Sequence, residues 1–327
     1  MTRRRSGERG EGPWDAGFEL AGRESAEAAK GVLRLRFFET AKAEAQAATA
    51  MGRRGEGSRG QQANAVRRRL FFYRVERSGI AKDHPEGEAA AGRAKVEAAL
   101  PVLHREGGAE EVAEAEMNLG LTLQNLAALH KARIQDAIAA YQRALRTFDK
   151  HRHPKEFAIL QNNLASAFMS MPFTDEKSKM REALAVGAFE EGLSVVTLID
   201  HPAEYAMLQN NLGNALQYAS SSHPVENGYR ALEAYNEALK VRTANDTPGE
   251  YANTISNKAN CLANLPDDPA DPGRGNQDNL RAAVELYREA RRIYLARGQA
   301  ESAEIVAAAI QDIEADLSPV AQRGGRH

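Results

Sequence analysis

The amino-acid sequence predicts an all-α protein built from repeated pairs of helices. Among its 327 residues, alanine is abundant and aromatic residues make up only 6%. That composition favours helices, because strands prefer β-branched and aromatic side chains. Two short motifs alternate along the chain, and the clearest copies recur at offsets of 48 and 46 residues. Hydrophobic residues within each motif follow helical spacing, so each motif is assigned to a helix.

The first motif marks the first helix of each pair, which we call the A helix. Residues 154–165 are echoed at 202–213 and, in part, at 248–260 and 111–120. Three copies begin with proline, whose missing N–H costs little at the start of a helix. A glutamate two residues later lies in the first turn, where negative charge suits the helix dipole. We predict A helices near 110–130, 155–171, 203–220, 249–264 and 300–316.

The second motif marks the B helix, the second of each pair. It carries an aromatic residue three positions before an alanine or glycine, and this aromatic is Tyr141, Phe189, Tyr235 or Tyr287. Around Tyr235, apolar residues follow i, i+3, i+4, i+7 spacing, which is typical of an amphipathic helix. We predict B helices near 88–105, 135–149, 181–198, 229–243 and 280–296. Stretches rich in helix-breaking residues at 171–180, 220–228 and 265–279 are predicted to be loops.

These motifs resemble the tetratricopeptide repeat (TPR) family. Asn211-Leu212-Gly213 is similar to the signature of that family's A helix, and Tyr235, Ala238 and Leu239 match its B helix. The period of 45 to 52 residues exceeds the family's usual 34, and the doubled asparagine resembles kinesin light chains and bacterial TPR regulators. The resemblance implies a right-handed helical-hairpin solenoid of about five pairs over 88–317, ending in a polar capping helix.

Residues 1–87 are predicted to be a basic, partly disordered extension. Residues 1–82 hold 18 basic and 10 acidic residues, a net of +8, whereas the remainder holds 25 and 35, a net of −10. We expect helices over 24–51 and 65–78 within the extension. Arginines lie beside a run of aromatic residues at 67–74, and such residues can bind nucleic acid or pack a helix pair against the acidic solenoid. Residues 318–327 are predicted to be a disordered tail.

Asparagines inside the A helices are the main candidates for a binding site. Asparagine costs roughly a few tenths of a kcal/mol relative to alanine in a helix, so its recurrence there requires a compensating contact. The resemblance implies that A helices line a concave groove that binds an extended peptide. On that basis we expect the groove to contain Asn162, Asn210, Asn214, Asn260, Gln124, Asn125, Gln217, Tyr218 and Asn264. Four further amides share one repeat position and are expected to specify stacking: Asn118, Asn163, Asn211 and Asn257.

The role of the groove asparagines stays open at the level of sequence. The asparagines predicted for the groove could instead bridge neighbouring repeats and only specify stacking. A groove lined by amides also disfavours a strongly acidic ligand. The positions that match the basic carboxylate clamp of chaperone-binding TPR domains are neutral, namely Leu121, Ser166, Asn214 and Asn260.

Signals for catalysis, cofactors or metals are weak. Residues 55–60 satisfy the G-x-G-x-x-G pattern but neither follow a predicted strand nor open a helix. Histidines at 151, 153 and 201 lie near the ends of B helices without a third ligand pattern. The aspartates at 267–271 lack the spacing of an EF-hand. Cys261 is the one cysteine of the chain, and its helical position favours packing.

The sequence therefore predicts a cytoplasmic, non-catalytic scaffold or regulator that binds a protein or peptide. It has neither an apolar run of transmembrane length nor a signal peptide. Two other classes of function remain as alternatives. One is a nucleic-acid-associated protein that uses the arginine-rich extension. The other is a self-assembling structural or enzyme-associated subunit, in which the acidic body binds the basic extension of a neighbour.

Overall fold

The computed structural model of the protein describes residues 85–171, 176–219, 223–271, 273 and 275–317. This part of the chain forms ten α-helices and no strand. The helices are α1 (Pro85–Glu106), α2 (Ala109–Ala128), α3 (Ile134–Ala144), α4 (Pro154–Met169), α5 (Glu176–Leu193), α6 (Pro202–Gln217), α7 (Pro224–Leu239), α8 (Pro248–Ala263), α9 (Gln277–Ala296) and α10 (Ala300–Leu317).

The all-α prediction is confirmed for the described residues, and each helical segment predicted there coincides with a helix. The loops predicted at 171–180 and 220–228 were too long, because α5 begins at Glu176 and α7 at Pro224. The A helices are α2, α4, α6, α8 and α10, and the B helices are α1, α3, α5, α7 and α9. The helices predicted over 24–51 and 65–78, like the tail at 318–327, lie outside the described residues. Among the helices described, none has the length and hydrophobicity needed to cross a membrane.

Several B helices end earlier than the sequence predicted. Helix α3 was expected to reach residue 149 but ends at Ala144, where the chain tightens. The N–H of Thr147 donates to the carbonyl of Ala144 at 3.1 Å, an i to i−3 bond typical of a 3₁₀ turn. This turn brings Phe148 back into the core. The prediction was too long because Phe148 continues the apolar pattern of the helix although it lies beyond its end.

The turn from a B helix to the next A helix is itself repeated. The hydroxyl of Thr197 accepts a hydrogen bond from the N–H of Asp200 at 3.0 Å, and Thr243 does the same for Asp246. The residues before three of the A helices, α4, α6 and α8, have nearly the same φ and ψ: His153 (−135°, 55°), His201 (−141°, 61°) and Thr247 (−134°, 59°). The sequence repeat is therefore a structural repeat in its turns as well as its helices.

The described helices divide into two compact units, α1–α6 and α7–α10. In the first unit, consecutive helices pack around a core that includes the fully buried Tyr141 and Leu160. In the second unit, α8 and α10 both pack against α9, and the core contains Ile255, Tyr287 and Tyr294. Each unit thus buries one apolar face of each of its helices, as expected for layered helix packing.

The pair α2–α3 approaches closely at Gly120. A Cβ atom at this position would lie 2.4 Å from Cε1 and 2.6 Å from Cδ1 of Tyr141. The Tyr141 ring has no exposed surface, and its hydroxyl donates to Oε1 of Gln124 at 2.9 Å. The ring is therefore held in place from both ends, and the absence of a side chain at Gly120 makes the contact possible.

Candidate binding surfaces

Four asparagine side chains form a buried hydrogen-bonded chain between α4 and α6. Nδ2 of Asn210 donates to Oδ1 of Asn211 at 3.0 Å, and Nδ2 of Asn211 donates to Oδ1 of Asn162 at 2.7 Å. The chain ends with a longer contact of 3.4 Å from Nδ2 of Asn162 to Oδ1 of Asn163. Buried polar groups require such partners. This network compensates for the low helix propensity of asparagine in these two A helices.

Burial separates the predicted groove residues into two groups. Asn162 has no exposed surface, and Asn210 and Asn214 are 6% and 7% exposed. These three side chains offer almost no surface to a ligand. The bond from Asn211 to Asn162 corresponds to the alternative in which asparagines bridge neighbouring helix pairs, whereas Asn210 bonds to Asn211 within α6. Of the other amides expected to stack repeats, Asn118 and Asn257 are half-buried.

The remaining predicted residues lie at or near the C-terminal ends of A helices. Gln124, Asn125, Gln217, Tyr218 and Asn260 are half-buried, and Asn264 is exposed. Nδ2 of Asn264 donates to the carbonyl of Asn260 at 2.7 Å and so caps the end of α8. The side chain of Asn125 makes no hydrogen bond within the described part of the chain. Its amide therefore remains available for a ligand.

A groove of about 880 Å³ lies among α8, α9 and α10 of the second unit. Its volume is within the range of ligand-binding clefts. Three half-buried aliphatic side chains line it, namely Leu262, Leu286 and Ile310. Six charged residues surround them: Lys258, Arg288, Arg291, Arg292, Glu285 and Glu289. We call this surface the cationic groove, because its lining has four basic and two acidic residues.

The acidic residues of the cationic groove already have partners. The Arg288 guanidinium pairs with Glu285 and, on α10, with Glu314, each at 2.6 Å. Oε1 of Glu289 accepts a hydrogen bond from the hydroxyl of Tyr251 at 3.1 Å. Burial, with a smaller contribution from the Glu289 carboxylate, raises the pKa of Tyr251.

Three of the basic residues have no acidic partner among the described residues: Lys258, Arg291 and Arg292. Burial lowers the pKa of Lys258, since its ammonium group loses part of its hydration. Positions equivalent to Lys258 in the other A helices hold buried leucines, namely Leu119, Leu164 and Leu212. No motif in the sequence predicted this surface, although alignment of the repeats shows lysine in a leucine position.

Other residues considered for chemistry have structural roles here. The Sγ of buried Cys261 donates to the carbonyl of Gly228 at 3.3 Å, and burial raises the thiol pKa to about 12. The carboxylate of Asp267 accepts the N–H groups of residues 278 and 279 and so caps α9. No group of three metal-binding side chains occurs within the described ranges. Residues 55–60 lie outside them.

Comparison with family models gives no match for the chain. Comparison with curated proteins also gives none. Among solved structures, the chain is similar to BtubC (BKLC) from P. vanneervenii, whose crystal structure it matches with 19% identity and a TM-score of 0.32. The match covers 83% of this chain and 94% of that one. The description of the fold therefore rests on the helices and contacts given above.

Proposed function

We propose that the protein is a non-catalytic scaffold of the TPR type, which binds an extended segment of a partner protein on its A helices. The observation that carries this proposal is the recurrence of amide side chains at the ends of A helices, outside the buried asparagine chain. In the first unit these are Gln124 and Asn125 on α2 and Gln217 on α6. An amide donates and accepts hydrogen bonds at once, which suits the alternating N–H and C=O groups of a peptide backbone.

Two structural features support the TPR assignment. A and B helices alternate through the described residues, and the turns that lead into α4, α6 and α8 share one geometry. A glycine of an A helix packs directly against the aromatic residue of the following B helix, as Gly120 does against Tyr141. These are the two positions whose residues resemble the family signature. The right-handed solenoid is part of the same proposal.

Asn125 is central to the binding surface. It is half-buried, and its amide makes no hydrogen bond within the described part of the chain. A partly desolvated amide without a partner is unfavourable, and a peptide backbone would satisfy both its donor and its acceptor. Removal of the Asn125 side chain should therefore lower peptide affinity more than removal of a fully solvated amide.

A selection from a displayed library of random dodecamer peptides tests this proposal. The full chain is the target, and a selected peptide is then synthesised for affinity measurement. We expect the double variant Asn125→Ala/Gln217→Ala to bind this peptide about tenfold more weakly, a loss of about 1.4 kcal/mol. The control is Gln142→Ala, which removes an exposed amide from the B helix α3 and should leave affinity unchanged.

Unchanged affinity in the double variant, with the helix content and melting temperature of the wild type, would contradict the assignment of these amides to the site. Failure to select any peptide would contradict the function itself. If the double variant and the control both bound the peptide more weakly, and to the same extent, the substitutions would have a general effect on folding. Circular dichroism distinguishes that effect from a loss of binding contacts.

A further inference from the structure

Lys258 departs from the repeat at a position where the fold favours an apolar residue. The three equivalent residues of other A helices, Leu119, Leu164 and Leu212, are between 5% and 8% exposed. Lys258 is half-buried and has no acidic partner among the described residues. A partly buried ammonium group without a counter-ion is unfavourable. Lys258 borders the groove, where a bound anion would supply the missing counter-ion.

Helix α9 places two further cations beside Lys258. Other arginines of this helix are paired, since Arg281 contacts Asp278 at 2.7 Å and Arg288 contacts Glu285 at 2.6 Å. Arg291 and Arg292 line the groove without such a partner in the described part of the chain. The unpaired positive charge of α9 is thus concentrated where α9 borders the cationic groove.

Between these cations the groove is lined by aliphatic side chains. Leu262 of α8, Leu286 of α9 and Ile310 of α10 are all half-buried and face the same cavity. A ligand that fits must therefore combine apolar side chains with separate negative charges. An aliphatic side chain would fill the groove, while flanking carboxylates would pair with the ammonium and guanidinium groups.

We infer that the cationic groove is a second binding surface, which takes an acidic segment with aliphatic side chains from a partner protein. Complementary charge and the apolar lining identify this occupant. The acidic groups of the same surface, Glu285, Glu289 and Glu314, lie close enough to pair with Arg288 or Tyr251. They would repel the continuous negative charge of a nucleic acid, whereas separate carboxylates can lie between them.

This surface is separate from the amide surface of the proposed function. On α8, Lys258 is two residues before the amide residue Asn260, and Leu262 is two residues before Asn264. Two residues correspond to about 200° around a helix, so the two pairs lie on nearly opposite sides of α8. A partner could use either surface alone. The proposed function and the present inference can therefore fail independently.

Selection from the same peptide library tests the cationic groove when the wild-type chain and a variant of the groove are used as separate targets. We expect a selection on the wild-type chain to yield a class of peptides rich in aspartate, glutamate, leucine and isoleucine. The same selection on Lys258→Leu/Arg291→Gln/Arg292→Gln should lose this class. A synthetic member of the class should bind the triple variant at least about tenfold more weakly than the wild type, and added salt should weaken wild-type binding.

Two controls separate binding from folding. Arg281→Gln removes a positive charge from α9 at a position that does not line the groove, and should change affinity less than about twofold. Lys258→Leu restores the residue found at the equivalent positions, so this single variant should keep its melting temperature or raise it. It should still weaken binding of the acidic peptide, which a purely structural role of Lys258 would not predict.

Three results would overturn the inference. One is the absence of an acidic class among the peptides selected on the wild-type chain. Another is an affinity for the acidic peptide that the triple variant retains. The third is tighter binding of a single-stranded oligonucleotide than of the acidic peptide in the same groove, measured by competition. If only Asn125→Ala/Gln217→Ala lost binding, and only to the peptide of the amide surface, the result would not bear on the cationic groove.

Discussion

Replacement of Gly120 by alanine tests the packing of α2 against α3, because two effects of opposite sign compete there. Alanine is favoured over glycine inside a helix by about 0.8–1.0 kcal/mol. A methyl group at this position would lie 2.4 Å, 2.6 Å and 3.0 Å from three ring atoms of Tyr141. Real Cβ atoms do not approach so closely, and overpacking of this kind costs about 1–3 kcal/mol.

The clash should exceed the gain in helix propensity, because the Tyr141 ring cannot move freely. The ring is fully buried, and its hydroxyl is bonded to Gln124. We therefore expect Gly120→Ala to lower the free energy of unfolding, by up to about 2 kcal/mol once the gain in propensity is subtracted. The measurement is equilibrium unfolding in urea, followed by far-ultraviolet circular dichroism.

The matched control is Gly187→Ala on α5. Gly187 also lies inside a helix, but a Cβ atom there would meet nothing within 4 Å. This variant should gain roughly 0.5–1 kcal/mol of stability from helix propensity alone. A gain of similar size for Gly120→Ala would refute the contact with Tyr141. A loss in both variants would instead show that glycine is required by the backbone.

Three other predictions concern buried polar groups. Asn211→Ala should cost about 1–3 kcal/mol in urea unfolding, because it leaves the buried amide of Asn162 without its donor; an effect within experimental error would contradict the asparagine chain. Tyr294→Phe removes the hydroxyl that donates to Oδ1 of Asn253 at 2.7 Å and should cost about 1 kcal/mol by thermal denaturation, whereas a stabilised variant would argue against that bond. Burial raises the pKa of the Cys261 thiol to about 12, so its labelling by a thiol reagent should stay slow from about pH 7 to pH 9, where an ordinary thiol ionises; rapid labelling that rises through this range would refute its burial.

The helices could be predicted from the sequence because their signals are local. Proline at the first helical position, glutamate in the first turn and helical apolar spacing all lie within each segment, as at 202–213. The ends of the B helices could not be predicted in the same way. Phe148 continues the helical pattern, but it reaches the core from a tight turn. Apolar periodicity alone does not distinguish these two routes to burial.

The candidate sites could be predicted only in part. The repeat pattern identified the polar positions of the A helices, but it could not separate Asn162, which is fully buried, from Asn125, which is half-buried. Asn162 receives a hydrogen bond from Asn211 of another A helix, whereas Asn125 lies near the C-terminal end of α2. The cationic groove was missed because its residues come from three helices, and no motif spans them. The one local signal was Lys258 in a position that holds leucine in the other repeats.

Residue patterns along the chain were sufficient to predict the all-α class and the alternation of A and B helices. Each of these depends on contacts between residues close in the chain, so the pattern of residue types is sufficient. Tertiary structure decided which polar side chains are used in packing and which remain exposed. It joined Asn211 to Asn162 across two A helices and left Arg291 without an acidic partner in the part of the chain described. Such pairings depend on distances between side chains far apart in sequence, which residue spacing along one helix does not specify.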